Sequence, residues 1–344
     1  MPNLLPSSPH PPLALVTGAT GAIGPLLTRR LVAAGYRVRA LVRQQPPPGL
    51  LPPSVEIIEG SLTDPAALGR ATANVEVVFH LAAKLHLVNP SPALAADYER
   101  VNVAGTASLI AAAQAAGVAR LVYFSTIAVY GPGDGQIVFT ETSPLNPQTL
   151  YAQTKCRAEA LVLAAGRPDT DGPLGVVLRL AAVYGPRVKG NYARLVGALR
   201  RGWFVPVGPG QNRRTLVHEQ DVAAAALLAS EAVPAAGQIY NVTDGQPVPV
   251  SQILSAICQG LGRRPPRWHV PVYPVQLLAG WAEWPFARLG KTAPVGRFTL
   301  AKLLEDVAVS GHKLRHELEF QPQYTLKTGW QATIEQMALT HTPD

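Results

Sequence analysis

The sequence predicts an α/β fold built on a doubly wound parallel sheet, followed by a smaller and less regular region. Three observations lead there. From Leu13 onward, short β-branched apolar runs alternate with Ala- and Leu-rich stretches, the rhythm of parallel strands joined by crossover helices. Several of those runs are apolar at consecutive positions rather than alternate ones, as strands covered on both faces require. After about Pro186 the rhythm weakens while Pro, Trp and Arg increase, most clearly in GRRPPRWHVPVYPV over 262–275.

Each element has its own justification. Met1 to Pro12 holds five prolines and lacks a cationic start followed by an apolar run, so it reads as a flexible leader rather than a signal peptide. Strands are expected at LALVTGA (13–19), YRVRALVR (36–43), VEIIEGS (55–61), VEVVFHLAA (75–83), RLVYFST (120–126) and GVVLRLAAVYG (175–185). Pro25–Ala34 and Val103–Ala116 have helical composition, and Gly35 and Gly117 stand where a helix C-terminus takes a left-handed residue. Leu150 to Ala165 is a further helix, Gln45 to Pro53 a Pro-rich surface loop, and Thr215 to Asn241 a helix and strand able to rejoin the sheet.

Composition narrows the function classes. A chain of 344 residues, 47% hydrophobic and 15% charged, is not disordered as a whole. Its net charge of +8 comes from Lys and Arg that read as scattered, with no aromatic-basic ladder, so nucleic acid is not the expected partner. The same charge favours an anionic ligand. Cys156 and Cys258 are far apart and fit neither a disulfide framework nor a zinc site, which makes a reducing cytoplasm the expected compartment. Cys156 reads as a packed helix residue. His80, His86, His218 and His312 lack ligand spacing and read as strand-end or surface residues, so no metal is expected. No stretch reaches the ~18 apolar residues of a membrane span. The nearest, VQLLAGWAEWPFARL over 275–289, is broken by Glu283 and Pro285 and reads as core or lid packing.

The chemistry begins with T-G-A-T-G-A-I-G, which places Gly18, Gly21 and Gly24 between the first strand and the first helix. Glycines there let backbone approach a pyrophosphate, while N–H groups at the helix N-terminus meet its charge. Thr20, Ala22 and Ile23 complete the turn. A Rossmann dinucleotide site follows, and the chain divides into a leader (1–12), an NAD(P)-binding domain (13–186) and a mainly substrate-binding region (187–340), with 215–245 returning to the first sheet. An NAD site usually ends its second strand with a carboxylate ~20 residues on. Leu41, Val42, Arg43 and Gln44 stand there instead, and Arg43 can pair with a 2′-phosphate, so NADP is preferred over NAD.

Tyr151 and Lys155 in Y-A-Q-T-K are four apart on the helix expected from Leu150 and share a face. The ammonium is expected to lower the phenol toward a working acid/base range. Ser125 and Thr126 end a central strand, where ligands of doubly wound sheets bind, and a hydroxyl there can hold a substrate oxygen.

With these motifs in this order, the chain from about Leu13 to Thr333 resembles the extended short-chain dehydrogenase/reductase family, the NAD(P)-dependent epimerase/dehydratase group. The resemblance implies that Asp64 binds adenine, that Leu81, Ala82 and Ala83 pass beneath the cofactor and that Asn102 is structural. It also makes Thr126 the catalytic hydroxyl, Tyr151 the general acid/base and Lys155 a ligand of the nicotinamide ribose. V-Y-G-P-R (183–187) and R-R-T-L-V-H-E-Q-D-V (213–222) resemble members acting on nucleotide-diphosphate sugars, with Asn191 and Arg214 as diphosphate contacts and Ser125 beside the substrate. Ala182 departs from the Asn that many such epimerases carry before V-Y-G. The nearest look is that of bacterial nucleotide-sugar 4-epimerases and 4-ketoreductases, and a homodimer is implied. Two other readings stay open: a reductase or dehydrogenase of apolar alcohols, similar to 3-beta-hydroxysteroid dehydrogenase or dihydroflavonol reductase, and a non-catalytic NADP-sensing protein.

Overall fold

The computed structural model describes residues 10–84, 93–187, 190–202, 204–275 and 304–339. The first part of the chain alternates as predicted. It runs through β1 (Leu13–Thr17), α1 (Gly24–Ala33), β2 (Arg37–Val42), β3 (Glu56–Glu59), α2 (Pro65–Thr72), β4 (Val77–His80), α3 (Ala93–Tyr98), α4 (Gly105–Ala115), β5 (Arg120–Thr126), α5 (Leu150–Ala164) and β6 (Gly175–Leu180). Gly35 and Gly117 take φ of +89° and +68°, the left-handed conformation that ends a helix at low steric cost. Two expectations change. The helix expected from Val103 is preceded by a π-helical turn over Glu99–Ala104, and the strand expected over 175–185 is two strands. Ala181 N–H still bonds to Val242 in the main sheet, whereas Ala182 N–H bonds to Thr215, so the chain leaves one sheet for another at that peptide.

Beyond the break come β7 (Ala182–Tyr184), α6 (Asn191–Arg201), β8 (Arg213–Arg214), β9 (Leu216–His218), α7 (Glu219–Glu231), β10 (Ile239–Val242), β11 (Val248–Pro249), α8 (Val250–Gly260), α9 (His312–Glu317) and α10 (Leu326–Leu339). The main sheet has seven parallel strands in the order β10-β6-β5-β4-β1-β2-β3. β7 pairs with β9 and β8 with β11 outside it.

Side chains alternate across the sheet and fill two cores. Ala14 and Val16 of β1 join Leu27, Val122 and Val222 under α1 and α7, while Leu13 and Leu15 join Val78, Leu109 and Val162 under α2, α4 and α5. A third core, with Tyr184, Leu199, Leu216, Ile257 and Trp330, belongs to the second lobe. The strand order reverses between β1 and β4, so a crevice opens at their carboxyl ends. The leader's first nine residues, His86 and all of 275–289 after Val275 lie outside the described residues.

Candidate active site

The crevice is lined by a turn that only glycine can make. Gly18 has φ +75°, and a Cβ built on it would lie 2.7 Å from the Ala82 nitrogen and 2.9 Å from the Leu81 carbonyl carbon. One on Gly24 would collide with the Ala19 carbonyl oxygen. The turn is closed by the Gly21 N–H on the Gly18 oxygen at 3.0 Å, and Thr20, Gly21 and Ala22 are exposed at its rim. Ile23 and Gly24 then start α1, whose first-turn N–H groups have no intrahelical acceptor. This cradle fits a dinucleotide pyrophosphate. Arg43 stands exposed just past the end of β2. Asp64 is the N-cap of α2, one carboxylate oxygen accepting from Ala66 N at 3.0 Å and Ala67 N at 3.1 Å; this capping role was not read from the sequence.

Beneath the cradle runs a buried chain of hydrogen bonds. Ala82 N–H donates to Thr17 Oγ1 at 3.3 Å, and Thr17 Oγ1 lies 2.7 Å from His80 Nδ1. On the other side His80 Nε2 meets Thr106 Oγ1 at 2.9 Å, and that hydroxyl donates to the Asn102 carbonyl at 2.7 Å. The directions agree only if the imidazole proton sits on Nε2. Burial, with the nearby Lys155, pushes His80 down to about 3, so it is neutral throughout the working range. His80 ends β4 and His218 ends β9, as expected of strand-end residues, and both are buried. Asn102 accepts from Lys84 N at 2.7 Å and donates to Thr154 Oγ1 at 3.0 Å, tying the end of β4 to α5 from within the π-helical turn.

Helix α5 begins at Thr149, whose hydroxyl accepts from Ala152 N at 3.2 Å. It packs on β5 and β6 and presents Tyr151, Lys155 and Glu159 at successive turns of one face. Their electrostatics differ from the sequence expectation. Burial, with the neighbouring Tyr98, pushes the Tyr151 phenol up to about 12. Burial also pushes Lys155 down to about 7, against the pull of Glu159. The ammonium sits 3.9 Å above the Tyr123 ring of β5. It is not the phenol of Tyr151 that is lowered but the amine.

Adjacent residues of β5 point to opposite sides. Thr126 is half-buried at the strand end and accepts from Ala128 N at 3.2 Å. Ser125, expected beside a substrate, is buried and donates its hydroxyl to Glu159. Glu159 in turn holds Arg179, with Arg179 Nη2 at 2.7 Å, and Arg179 donates to Tyr130 Oη at 2.9 Å, which donates to Asn241 at 2.8 Å. Sequence reasoning missed this network; Glu159, four residues after Lys155, was its only trace. In the second lobe Asn191 is exposed at the start of α6, and Arg214 lies 3.7 Å from Glu305. Beside Asn191, burial pushes the Tyr192 phenol up to about 12, against the opposing charge of Arg214. Among the described residues no group of His, Cys, Asp or Glu could hold a metal ion, and no helix is long and apolar enough to cross a membrane.

Residues 14–243 match the NAD dependent epimerase/dehydratase family. The chain belongs to that family. It is thus an enzyme of the NAD-dependent oxidoreductase and epimerase type, and its relatives within the family differ in substrate. It is 32% identical over 330 residues to a 2-alkyl-3-oxoalkanoate reductase of Stenotrophomonas maltophilia (strain K279a), covering 92% of this chain and 96% of the relative. It is 30% identical to a UDP-glucose 4-epimerase of Vibrio cholerae, covering 94% and 95%. Among solved structures, MoeE5 in complex with UDP-glucose and NAD superposes with a TM-score of 0.74 at 29% identity, over 96% of this chain and 99% of that one. The glycine cradle of this epimerase/dehydratase chain is where such a cofactor fits.

Proposed function

We propose that this family member transfers hydride at a secondary alcohol or ketone, the 4-position of a nucleotide-diphosphate sugar, as an epimerase or 4-ketoreductase. One observation carries the reading. The Lys155 ammonium rests on the Tyr123 ring, which sets α5, with Tyr151 one turn before Lys155, against the strand that ends at Thr126. NAD(P), when bound, supplies the hydride acceptor or donor. Tyr151, protonated at neutral pH, gives its proton to a ketone oxygen and takes it back from a carbinol. Thr126 fixes that oxygen, Lys155 holds the nicotinamide ribose, and Asn102 ties the strand end to the helix. Gly18, Gly21, Gly24, Leu81, Ala82 and Ala83 receive the cofactor backbone, and Arg43 favours NADP by pairing with its 2′-phosphate.

The sugar-nucleotide assignment is supported by Asn191 and Arg214 on one lobe and by likeness to a structure holding UDP-glucose. A second reading, reduction of an apolar oxo compound, is favoured by Ala182 and by the oxoalkanoate reductase among the relatives. Calorimetric titration with UDP separates them: saturable binding that is lost in Arg214→Ala supports the first, and absence of binding together with turnover of a 3-oxoalkanoate supports the second.

A further inference from the structure

The cationic residues are not scattered. Residues 172–218 and 245–275 hold eleven Lys and Arg and no Asp or Glu, while the rest of the chain has 22 carboxylates against 19 cations. The fold brings these two stretches together: β8 pairs with β11, α6 packs on α8, and Val207 bridges Val270. Arg179, Arg213 and Arg214 are occupied by Glu159, Asp306 and Glu305. The cations at the ends of α6 and α8 are different, because Arg200, Arg201, Arg263, Arg264 and Arg267 are all exposed.

Backbone packing makes them neighbours. A Cβ on Gly202 would lie 3.0 Å from Arg263 Nη1, so the end of α8 lies against the end of α6. From there the two chains run on as a ribbon, with Gly208 N–H on Val270 O and Val270 N–H on Pro206 O, both at 2.9 Å. The ribbon turns large apolar side chains outward: Trp268 is 85% exposed, Tyr273 70% and Val205 54%. Basic residues at helix C-termini offset the macrodipole, which accounts for Arg200 and Arg201. It gives no reason for an indole to stand in water.

We propose that this face docks the enzyme peripherally on an anionic lipid bilayer. Guanidinium groups meet lipid phosphates within a Debye length of the surface, and Trp and Tyr settle at headgroup depth with the valine beneath them. A nucleic-acid strand also offers phosphates, but it is held by ring platforms spaced along a groove; here the rings project from the edge of a ribbon.

The test is co-sedimentation of the full chain with vesicles of phosphatidylglycerol and phosphatidylcholine, against vesicles of phosphatidylcholine alone. Binding is expected on the anionic vesicles only and is lost in high salt. Replacing three cations together, as R263S/R264S/R267S, lowers the partition coefficient about 100-fold, and Trp268→Ser lowers it at least about threefold while circular dichroism stays unchanged. Three results overturn the proposal: no binding to anionic vesicles, a Trp268→Ser chain that binds as well as the wild type, or a single-stranded oligonucleotide that competes the chain off the vesicles at equal phosphate concentration.

Discussion

Lys155→Met is expected to stabilise the protein while abolishing turnover. Lys155 is 1% exposed, and burial carries its ammonium from 10.5 down to about 7. The folded state therefore binds this proton less readily than the unfolded state does. Between about pH 7 and 10.5 the unfolded chain holds the extra proton, so stability rises with pH through that window, and below it the penalty is at full size. The interval corresponds to on the order of 5 kcal/mol at pH 6. Contact of the ammonium with the Tyr123 ring returns about 1–2 kcal/mol, and Met keeps most of the apolar stem. A net gain of about 3–4 kcal/mol at pH 6 follows, fading toward pH 10.

Urea unfolding of wild type and variant at several values from pH 6 to 10 measures this gap directly. A variant less stable than wild type at pH 6, or a gap that does not shrink as pH rises, would show that the buried amine is not a burden on the fold. Turnover should fall by about 100-fold or more in the same variant, the scale of a lost acid/base partner. If Lys155 holds the nicotinamide ribose, saturating NAD(P)H should raise the melting temperature of the wild type more than that of the variant.

Other substitutions separate the remaining roles. Tyr151→Phe should bind NAD(P)H as wild type does, measured by fluorescence titration, while turnover falls about 100-fold or more. Gly18→Ala places a methyl group 2.7 Å from the Ala82 nitrogen at φ +75°, and should raise the cofactor KM at least tenfold while destabilising the chain by about 1–3 kcal/mol. Arg43→Ser should raise the NADPH KM and leave the NADH KM unchanged, so equal effects on both would remove Arg43 from phosphate recognition. Thr126→Ala should reduce kcat with little loss of stability, whereas Ser125→Ala should reduce the urea midpoint with little loss of kcat, since Ser125 donates to the buried Glu159.

Ser125 and Thr126 also show where sequence reading ends. The motif places both at the end of a central strand, and alternation says that they face opposite ways. It does not say which face holds the crevice, because β5 is buried on both sides and apolar neighbours give no polarity to read. The doubly wound sheet was legible for that same reason: strands without an exposed face announce their burial. The glycine turn was legible because φ +75° at Gly18 admits almost nothing else. The π-helical turn over Glu99–Ala104 was not, since its residues suit an α-helix equally well.

Electrostatics were the least legible layer. Spacing puts Tyr151 and Lys155 on one face, but where a four-carbon side chain ends is decided by what α5 packs against. Here the ammonium turns to the ring of Tyr123, and His80 sits near it as a neutral imidazole held by two threonines. Both titratable groups of the motif are shifted toward their uncharged forms, so at neutral pH Tyr151 keeps its proton and Lys155 gives up its own far more readily than an exposed lysine does. A phosphate-bearing dinucleotide entering the cradle brings negative charge, which favours the ammonium, and a charged Lys155 in turn favours the phenolate of Tyr151. On the proposed roles of Tyr151 and Lys155, acid/base competence would then rise with cofactor arrival. Repeating the pH 6–10 unfolding series with saturating NAD(P) should shift the wild-type stability rise to higher pH, and an unchanged profile would mean that the amine does not sense the cofactor.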